Sequence, residues 1–164
     1  IMRREAELAW EQFGANLQVP VCLLRLSGIY GPGRNAVHDA LQGRAHMLIK
    51  PGQVFNRIHV DDLAEATVAA GKAAFAGILN ITDDLPAPPQ EVITFAHDLA
   101  GKTVPVAQDF DRADISPMAR SFYSENKRVN NQLGKTVLGI DYQYPSYKEG
   151  LNALWIEINE RLQT

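Results

Sequence analysis

Cysteine is almost absent from this 164-residue sequence, in which Cys22 stands alone. An intramolecular disulfide is therefore excluded, and since no secretory signal pattern is present we expect a reducing, cytoplasmic setting. No apolar run approaches the roughly 18 residues that a membrane span needs, so we expect no membrane partner. The net charge is only −3, which argues against a nucleic-acid partner because such proteins usually carry a basic face.

Metal-ligand spacing and biased composition are also missing. The four histidines do not stand at the spacings typical of a metal site, and we expect no metal. No long polar tract indicates disorder, and apolar and charged residues make up an ordinary 46% and 21% of the chain. The length and composition predict one globular domain.

Hydrophobic spacing predicts alternating helices and short strands. The first helix, over about 2–15, carries an apolar stripe from Ala6 to Leu17 that we expect to pack on another element. Apolar runs predict strands at 19–26, 77–82 and 104–106. The first strand is apolar enough to be covered on both faces, as in a parallel sheet. Further helices are predicted over about 36–45, 62–75, 89–100, 126–138 and 146–162, with Asn35, Asp62, Ser146 and either Ser124 or Asn126 as N-caps.

This alternation is the pattern of an α/β fold. Three short strands form a thin sheet, however, and the stripe of the first helix needs a partner. We therefore expect residues 1–164 to be one domain, the C-terminal portion of a larger protein whose N-terminal half is absent from the sequence.

Four segments stand in order along the chain and carry a family resemblance. They are Arg25–Gly33 (RLSGIYGPG), Arg57–Ala64 (RIHVDDLA), Asn126–Val129 (NKRV) and Tyr144–Leu151 (YPSYKEGL). Together they resemble the C-terminal half of extended short-chain dehydrogenase/reductases, the NAD-dependent epimerase/dehydratase family, and in particular its atypical epimerase-like branch. The resemblance covers nearly the whole chain. It implies the C-terminal part of a Rossmann-like parallel sheet with a small substrate-binding subdomain.

The catalytic and dinucleotide-binding motifs of that family are not in this sequence. No glycine-rich turn of the kind that holds a pyrophosphate is present. The resemblance places the family's catalytic Tyr before residue 1 and its Lys on Ile1 or Arg3. It therefore implies no catalytic residue in this chain, and NAD or NADP as cofactor only together with the missing N-terminal half.

The resemblance implies two groups of site residues. The turn that passes the cofactor's nicotinamide comprises Leu26, Ser27, Gly28 and Ile29. The substrate-binding candidates are Tyr30, Arg34, Asn35, Arg57, His59, Lys127 and Arg128. Gly28 stands where the family often has a substrate-contacting Asn, which weakens the case for a sugar nucleotide.

Each substrate-binding candidate also has a structural alternative. The alternative for Tyr30 is a buried aromatic side chain in a turn. The alternative for His59 is a hydrogen bond to the backbone near the start of a helix. Lys127 and Arg128 are explained by a solvated face. Arg57 is explained by an ion pair with the carboxylates at 61, 62 or 65, and the family's usual phosphate-binding Arg is replaced here by Phe55.

Three functions follow from these observations. The first is the substrate-binding half of an NAD(P)-dependent epimerase, dehydratase or reductase that acts on a small hydroxylated or carbonyl substrate, a sugar derivative being one candidate. The second is an epimerase-like regulator that binds NAD(P) without catalysis. The third is a stand-alone half-domain with an interaction role. Homodimer formation through paired helices, with the first helix contributing, is compatible with all three.

Overall fold

A computed structural model describes residues 2–162, so Ile1 lies outside the described residues. The helices are α1 (Met2–Leu17), α2 (Ala36–Leu41), α3 (Val60–Lys72), α4 (Pro89–Ala100), α5 (Pro117–Phe122), α6 (Gln132–Leu138) and α7 (Tyr147–Leu162). The strands are β1 (Cys22–Leu26), β2 (Gly28–Tyr30), β3 (Leu48–Ile49), β4 (Arg57–His59), β5 (Gly77–Ile81) and β6 (Gln108–Asp109).

The strands associate as three parallel pairs, β1 with β5, β2 with β4, and β3 with β6. β1 and β2 are consecutive, and the chain changes its partner strand at Ser27, whose N–H donates to the Ile81 carbonyl at 3.2 Å. In the second pair Gly28 lies beside Arg57, and Tyr30 lies beside His59. Parallel strands joined through helices confirm the α/β prediction.

Two hydrophobic cores hold these elements together. One lies between α2, α4 and α7, where Leu151 and Leu154 of the last helix meet Val92 and Ala96. The last helix, predicted over about 146–162, therefore buries one face against α2 and α4. The other lies around the β1–β5 pair, where Leu79 and the side chains around it are sealed from solvent.

Apolar side chains of α1 and β1 remain exposed among the described residues. Trp10 and Phe13 contact each other edge to face, yet each stays at least half exposed, and Gly14 is the only buried residue of α1. β1 is half-buried instead of covered on both faces, and Leu26 is largely exposed. α1 contacts β1 through a charged pair, Arg25 with Glu7 at 2.8 Å, and the partner expected for the apolar stripe of α1 stays a prediction.

Two further predictions are corrected. No strand forms at 104–106, where Val106 is exposed, and the short β6 follows instead because its backbone pairs with β3. The helix predicted from 126 begins only at Gln132. Its predicted cap, Asn126, instead accepts from the Val54 N–H and donates to the Gly52 carbonyl.

Asp62 is not the N-cap of α3. The helix begins at Val60, and His59 caps it by accepting from the Asp61 N–H through Nδ1. Asp62 is buried, and its two carboxylate oxygens accept from the N–H groups of Gln143 and Tyr144 at 2.8 and 3.0 Å. The carboxylate therefore ties α3 to the segment that leads into α7.

Replacing Asp62 by Asn is expected to destabilise the protein by about 1–2 kcal/mol. The amide keeps one acceptor, but its NH₂ group then faces a buried backbone N–H that has lost its partner. Urea denaturation measures the loss. The matched control is Asp61→Asn at the neighbouring exposed carboxylate, which should change the free energy of unfolding by less than about 0.5 kcal/mol. Equal losses of stability in both variants would contradict the role of the Asp62 carboxylate in holding α3 to the segment that leads into α7.

Candidate functional site

A groove of about 1450 Å³ opens at the carboxyl end of β1. Its walls come from the chain segment 23–30, from the stretch 54–57 that leads into β4, and from the segment 125–130. Side chains of α1 close one end of it. Ligands in α/β folds bind at the carboxyl ends of strands, so this groove is the candidate site.

The turn Leu26–Ile29 lines the groove, and hydrogen bonds fix its position. The Ser27 hydroxyl donates to the Ile81 carbonyl at 3.3 Å, and the Gly28 N–H donates to the Asn56 carbonyl at 3.1 Å. A Cβ at position 28 would meet only the Asn56 carbonyl oxygen, at 3.3 Å, within 4 Å. The turn is therefore fixed in position, and open space remains above Gly28.

Arg57 lies on the wall beside this space. Its Nη1 donates to the carbonyl oxygens of Phe55 and Ala87 at 2.9 and 3.3 Å. Burial lowers the pKa of the guanidinium, and Asp83 offsets part of this effect by its charge. Among the described residues no carboxylate forms an ion pair with Arg57, so the expected pairing with positions 61, 62 or 65 is not found.

Asp83 is a buried carboxyl behind Arg57 that sequence reasoning missed. Its N–H donates to the Arg57 carbonyl at 2.7 Å, and its Oδ1 accepts from the Leu85 N–H at 3.3 Å. Its Oδ2 is buried with no hydrogen-bond partner. Burial raises the pKa of this carboxyl to about 7, against the opposing effects of the Leu85 N–H and Arg57. Its position directly after β5 was the sequence signal.

Lys127 and Arg128 lie on the opposite rim, where Asn56 fixes their backbone. The Asn56 amide donates to the Lys127 carbonyl at 2.8 Å and accepts from the Val129 N–H at 2.9 Å. Lys127 itself pairs with Glu125 at 2.6 Å on the exposed surface, and this contact lowers the pKa of the glutamate. Sequence reasoning also missed Asn56, whose role depends on contacts across about 70 residues.

The other four substrate-binding candidates lie away from the groove or are buried. Asn35 caps α2, accepting from the His38 N–H at 2.8 Å, and is buried. Tyr30 touches the groove but is almost fully buried, with its ring edge-on to the buried His59 at 5.1 Å. Burial lowers the pKa of His59. Arg34 makes a backbone bridge with Gly31 and does not line the groove.

Residues 2–162 contain no group of three or more His, Cys, Asp or Glu side chains placed to hold a metal ion. None of the helices in that range is long and apolar enough to cross a membrane.

Several known proteins are similar to this chain in sequence or in structure. No protein-family model matches the chain. A 3-diazoavenalumate denitrifying reductase from Streptomyces sp is 30% identical over 92% of this chain and 51% of its own length. A functionally unknown conserved protein from Silicibacter pomeroyi DSS is 50% identical over 84% of this chain and 49% of that chain, with a TM-score of 0.80.

A third protein, similar in fold, has been solved with a bound cofactor. The dTDP-glucose 4,6-dehydratase from Bacillus anthracis, solved in complex with NAD, is 22% identical over 95% of this chain and 50% of that chain, with a TM-score of 0.71. The chain therefore spans about half the length of the relatives it matches. Its fold is the one found in the C-terminal half of Rossmann-like epimerase/dehydratase structures.

Proposed function

We propose that this chain is the substrate-side half of an NAD(P)-dependent epimerase, dehydratase or reductase that acts on a small hydroxylated or carbonyl substrate. One observation carries the proposal: a single groove brings the turn Leu26–Ile29 together with Arg57, Lys127 and Arg128. The likeness to a reductase and to an NAD-bound dehydratase supports it.

The described residues fit one end of the cofactor. The turn Leu26–Ile29 offers a backbone surface fixed by hydrogen bonds to Ile81 and Asn56, and the bare Gly28 leaves room for a flat ring. The chain has no glycine-rich turn for the pyrophosphate, which we assign to the N-terminal half of a longer protein. When bound, the nicotinamide would supply hydride transfer to or from a substrate carbon.

The substrate would then lie between this turn and the cationic walls. Arg57 is fixed by two backbone carbonyls, and Asn56 fixes the backbone of Lys127 from the other side. The contacts of Arg57 hold its side chain in place before a ligand arrives, which lowers the entropy cost of binding. The family's proton-transferring Tyr would come from the same missing half.

The arrangement of cofactor and turn is tested in the full-length protein. We expect a complex with NAD or NADP to place the nicotinamide ring against Leu26–Ile29. A cofactor complex with that turn far from the ring would contradict the proposal. Intact mass spectrometry of the native protein separates the alternatives: a mass near 18.1 kDa favours an interaction half-domain, and a mass well above it favours the enzyme.

Dinucleotide affinity provides a second measurement. The 164-residue chain alone is expected to bind NAD no more tightly than the millimolar range, because the pyrophosphate-binding turn is not part of it. Isothermal titration calorimetry measures this. The full-length protein serves as the positive control. A micromolar dissociation constant for the 164-residue chain would contradict the proposal that the N-terminal half binds the pyrophosphate.

A further inference from the structure

Arg57 carries hydrogen-bond donors that the protein does not use. Its Nη1 is held by the carbonyls of Phe55 and Ala87, but Nε and Nη2 donate to no acceptor in the described residues. Nε and Nη2 form the side-on fork of a guanidinium, which fits the two oxygens of one carboxylate. The side chain lines the groove. A cation fixed at one nitrogen and open along its other edge is a prepared anion site.

The space beside this fork is open because of Gly28. Gly28 and Arg57 are register partners on β2 and β4, so both residues face the same side of the sheet. Apart from the Asn56 carbonyl oxygen, nothing lies within 4 Å of a Cβ placed at position 28. A small group of a ligand therefore has room between the turn and the guanidinium.

Two apolar side chains line the groove near the fork. Phe55 lies two residues before Arg57 and Leu26 two residues before Gly28, and both line the groove. Phe55 is held edge-on by Tyr123 at 5.2 Å, while Leu26 is 46% exposed. These side chains suit the apolar body of a ligand better than a sugar ring.

The nearby charges favour a monoanion. Only one guanidinium edge is open at this position, and the charge of the buried Asp83 already acts on Arg57. A phosphate or diphosphate at the fork would bring two or more negative charges toward the Asp83 carboxyl, and its further donors would have to come from Lys127 and Arg128 at the rim. A carboxylate needs only the single fork.

We propose that Arg57 binds the carboxylate of a substrate with an apolar body in the space beside Gly28, and that Asp83 is a positioning residue that modulates this site from behind. The proposal names a substrate class for the proposed function and rests on it. It assigns the carboxylate to Arg57 alone, and leaves Lys127 and Arg128 at the rim.

The test uses benzoate as a probe on the full-length protein. The Nε–H resonance of Arg57 in ¹H–¹⁵N NMR spectra reports contact at the fork directly. We expect benzoate to shift this resonance saturably, neutral benzamide to leave it in place, and phenyl phosphate to bind at least threefold more weakly. No shift with benzoate up to tens of millimolar overturns the proposal, and tighter binding of phenyl phosphate points to a phosphate site instead.

Two matched lysine variants distinguish recognition by the guanidinium fork from attraction by positive charge alone. Arg57→Lys keeps the cation and loses the fork, so benzoate affinity should fall roughly tenfold. Arg25→Lys is the control. Arg25 also lines the groove, but its Nε and Nη2 already donate to the Glu7 carboxylate at 2.9 and 2.8 Å. Benzoate affinity should therefore not change in Arg25→Lys. Equal losses in both variants overturn the role of Arg57. Thermal melts establish that each variant is folded.

The pH dependence tests Asp83. As the pH rises from 6 to 8 the Asp83 carboxyl ionises, since its pKa is about 7, and its charge then competes with benzoate for Arg57. We expect affinity to fall roughly fivefold over this range, and Asp83→Asn to remove the fall. The charged and titratable groups facing Asp83 are Arg57, Asp84, Tyr30 and Tyr142, and burial raises the pKa of both tyrosines beyond this range. An unchanged pH profile in Asp83→Asn overturns its role.

Cofactor binding is measured on the same samples, so the two proposals can fail separately. NAD binding without an Arg57-dependent benzoate site removes the inference and leaves the proposed function standing. A benzoate site of the expected behaviour in a protein that binds neither NAD nor NADP removes the proposed function and leaves a carboxylate-binding protein.

Discussion

Replacing Gly150 by alanine is expected to destabilise the protein by about 3 kcal/mol, the largest loss from adding a single methyl group that we anticipate. Gly150 lies in α7 directly under the Tyr30 ring. A Cβ there would lie 2.8 Å from two ring carbons of Tyr30 and still closer to its hydroxyl. Tyr30 has little freedom to move, because its hydroxyl donates to the Ser146 carbonyl and its ring packs on His59. Urea denaturation measures the loss.

A matched glycine gives the control for this substitution. Gly71 is also helical, near the end of α3, and has no atom within 4 Å of an added Cβ. Gly71→Ala should therefore stabilise the protein by up to about 1 kcal/mol through helix propensity alone. Tyr30→Phe removes the atom nearest to the added methyl group, so it should recover part of the loss in a double-mutant cycle with Gly150→Ala. A loss of less than 0.5 kcal/mol in Gly150→Ala would show that the contact relaxes freely.

Helix ends that depend on nearby residues were predicted well, although the short α5 was not predicted and α6 begins at Gln132 rather than at 126. Asn35 caps α2 as expected, and Gly101 ends α4 in the left-handed conformation that favours glycine. Pro89 stands in the first turn of the same helix, where its missing N–H has no cost. Each of these signals acts within four residues, so the sequence alone carries it.

Features that depend on distant partners were predicted poorly. Asp62 satisfies every sequence rule for an N-cap, yet its carboxylate accepts from Gln143 and Tyr144 more than 80 residues away, and His59 caps the helix instead. Hydrophobicity predicted a fully covered β1, but coverage depends on what packs against it, and Arg25 meets a charged side chain of α1.

In the candidate site, too, residues marked by local motifs were predicted and residues defined by distant contacts were missed. The resemblance identified Arg57 and the turn Leu26–Ile29, because sequence motifs mark them, and the structure places them in one groove. It did not identify Asp83 or Asn56, whose contacts with Arg57 and with the 127–129 backbone appear only after folding. Both residues contact the backbone that carries the cationic side chains of the groove: Asp83 contacts Arg57, and Asn56 contacts the segment 127–129.

Replacing Gly28 by valine is expected to abolish most binding in the groove while leaving the fold largely intact. The β-branched side chain suits a strand, and its Cβ meets only the Asn56 carbonyl oxygen, at 3.3 Å, so the cost in stability should be about 1 kcal/mol. The same side chain occupies the space beside Arg57. We expect benzoate affinity to fall roughly a hundredfold, since about 3 kcal/mol of overlap must be relieved before the carboxylate reaches the fork.

Gly28→Ala is the graded control, because its single methyl group extends no farther than the Cβ and leaves part of the space open. Its benzoate affinity should fall between those of the unsubstituted protein and Gly28→Val, while urea denaturation detects little change in either variant. Undiminished binding in a folded Gly28→Val protein would place the ligand elsewhere in the groove. Parallel losses of benzoate and NAD affinity would show that both ligands meet above this residue, as expected if the nicotinamide and the substrate react there.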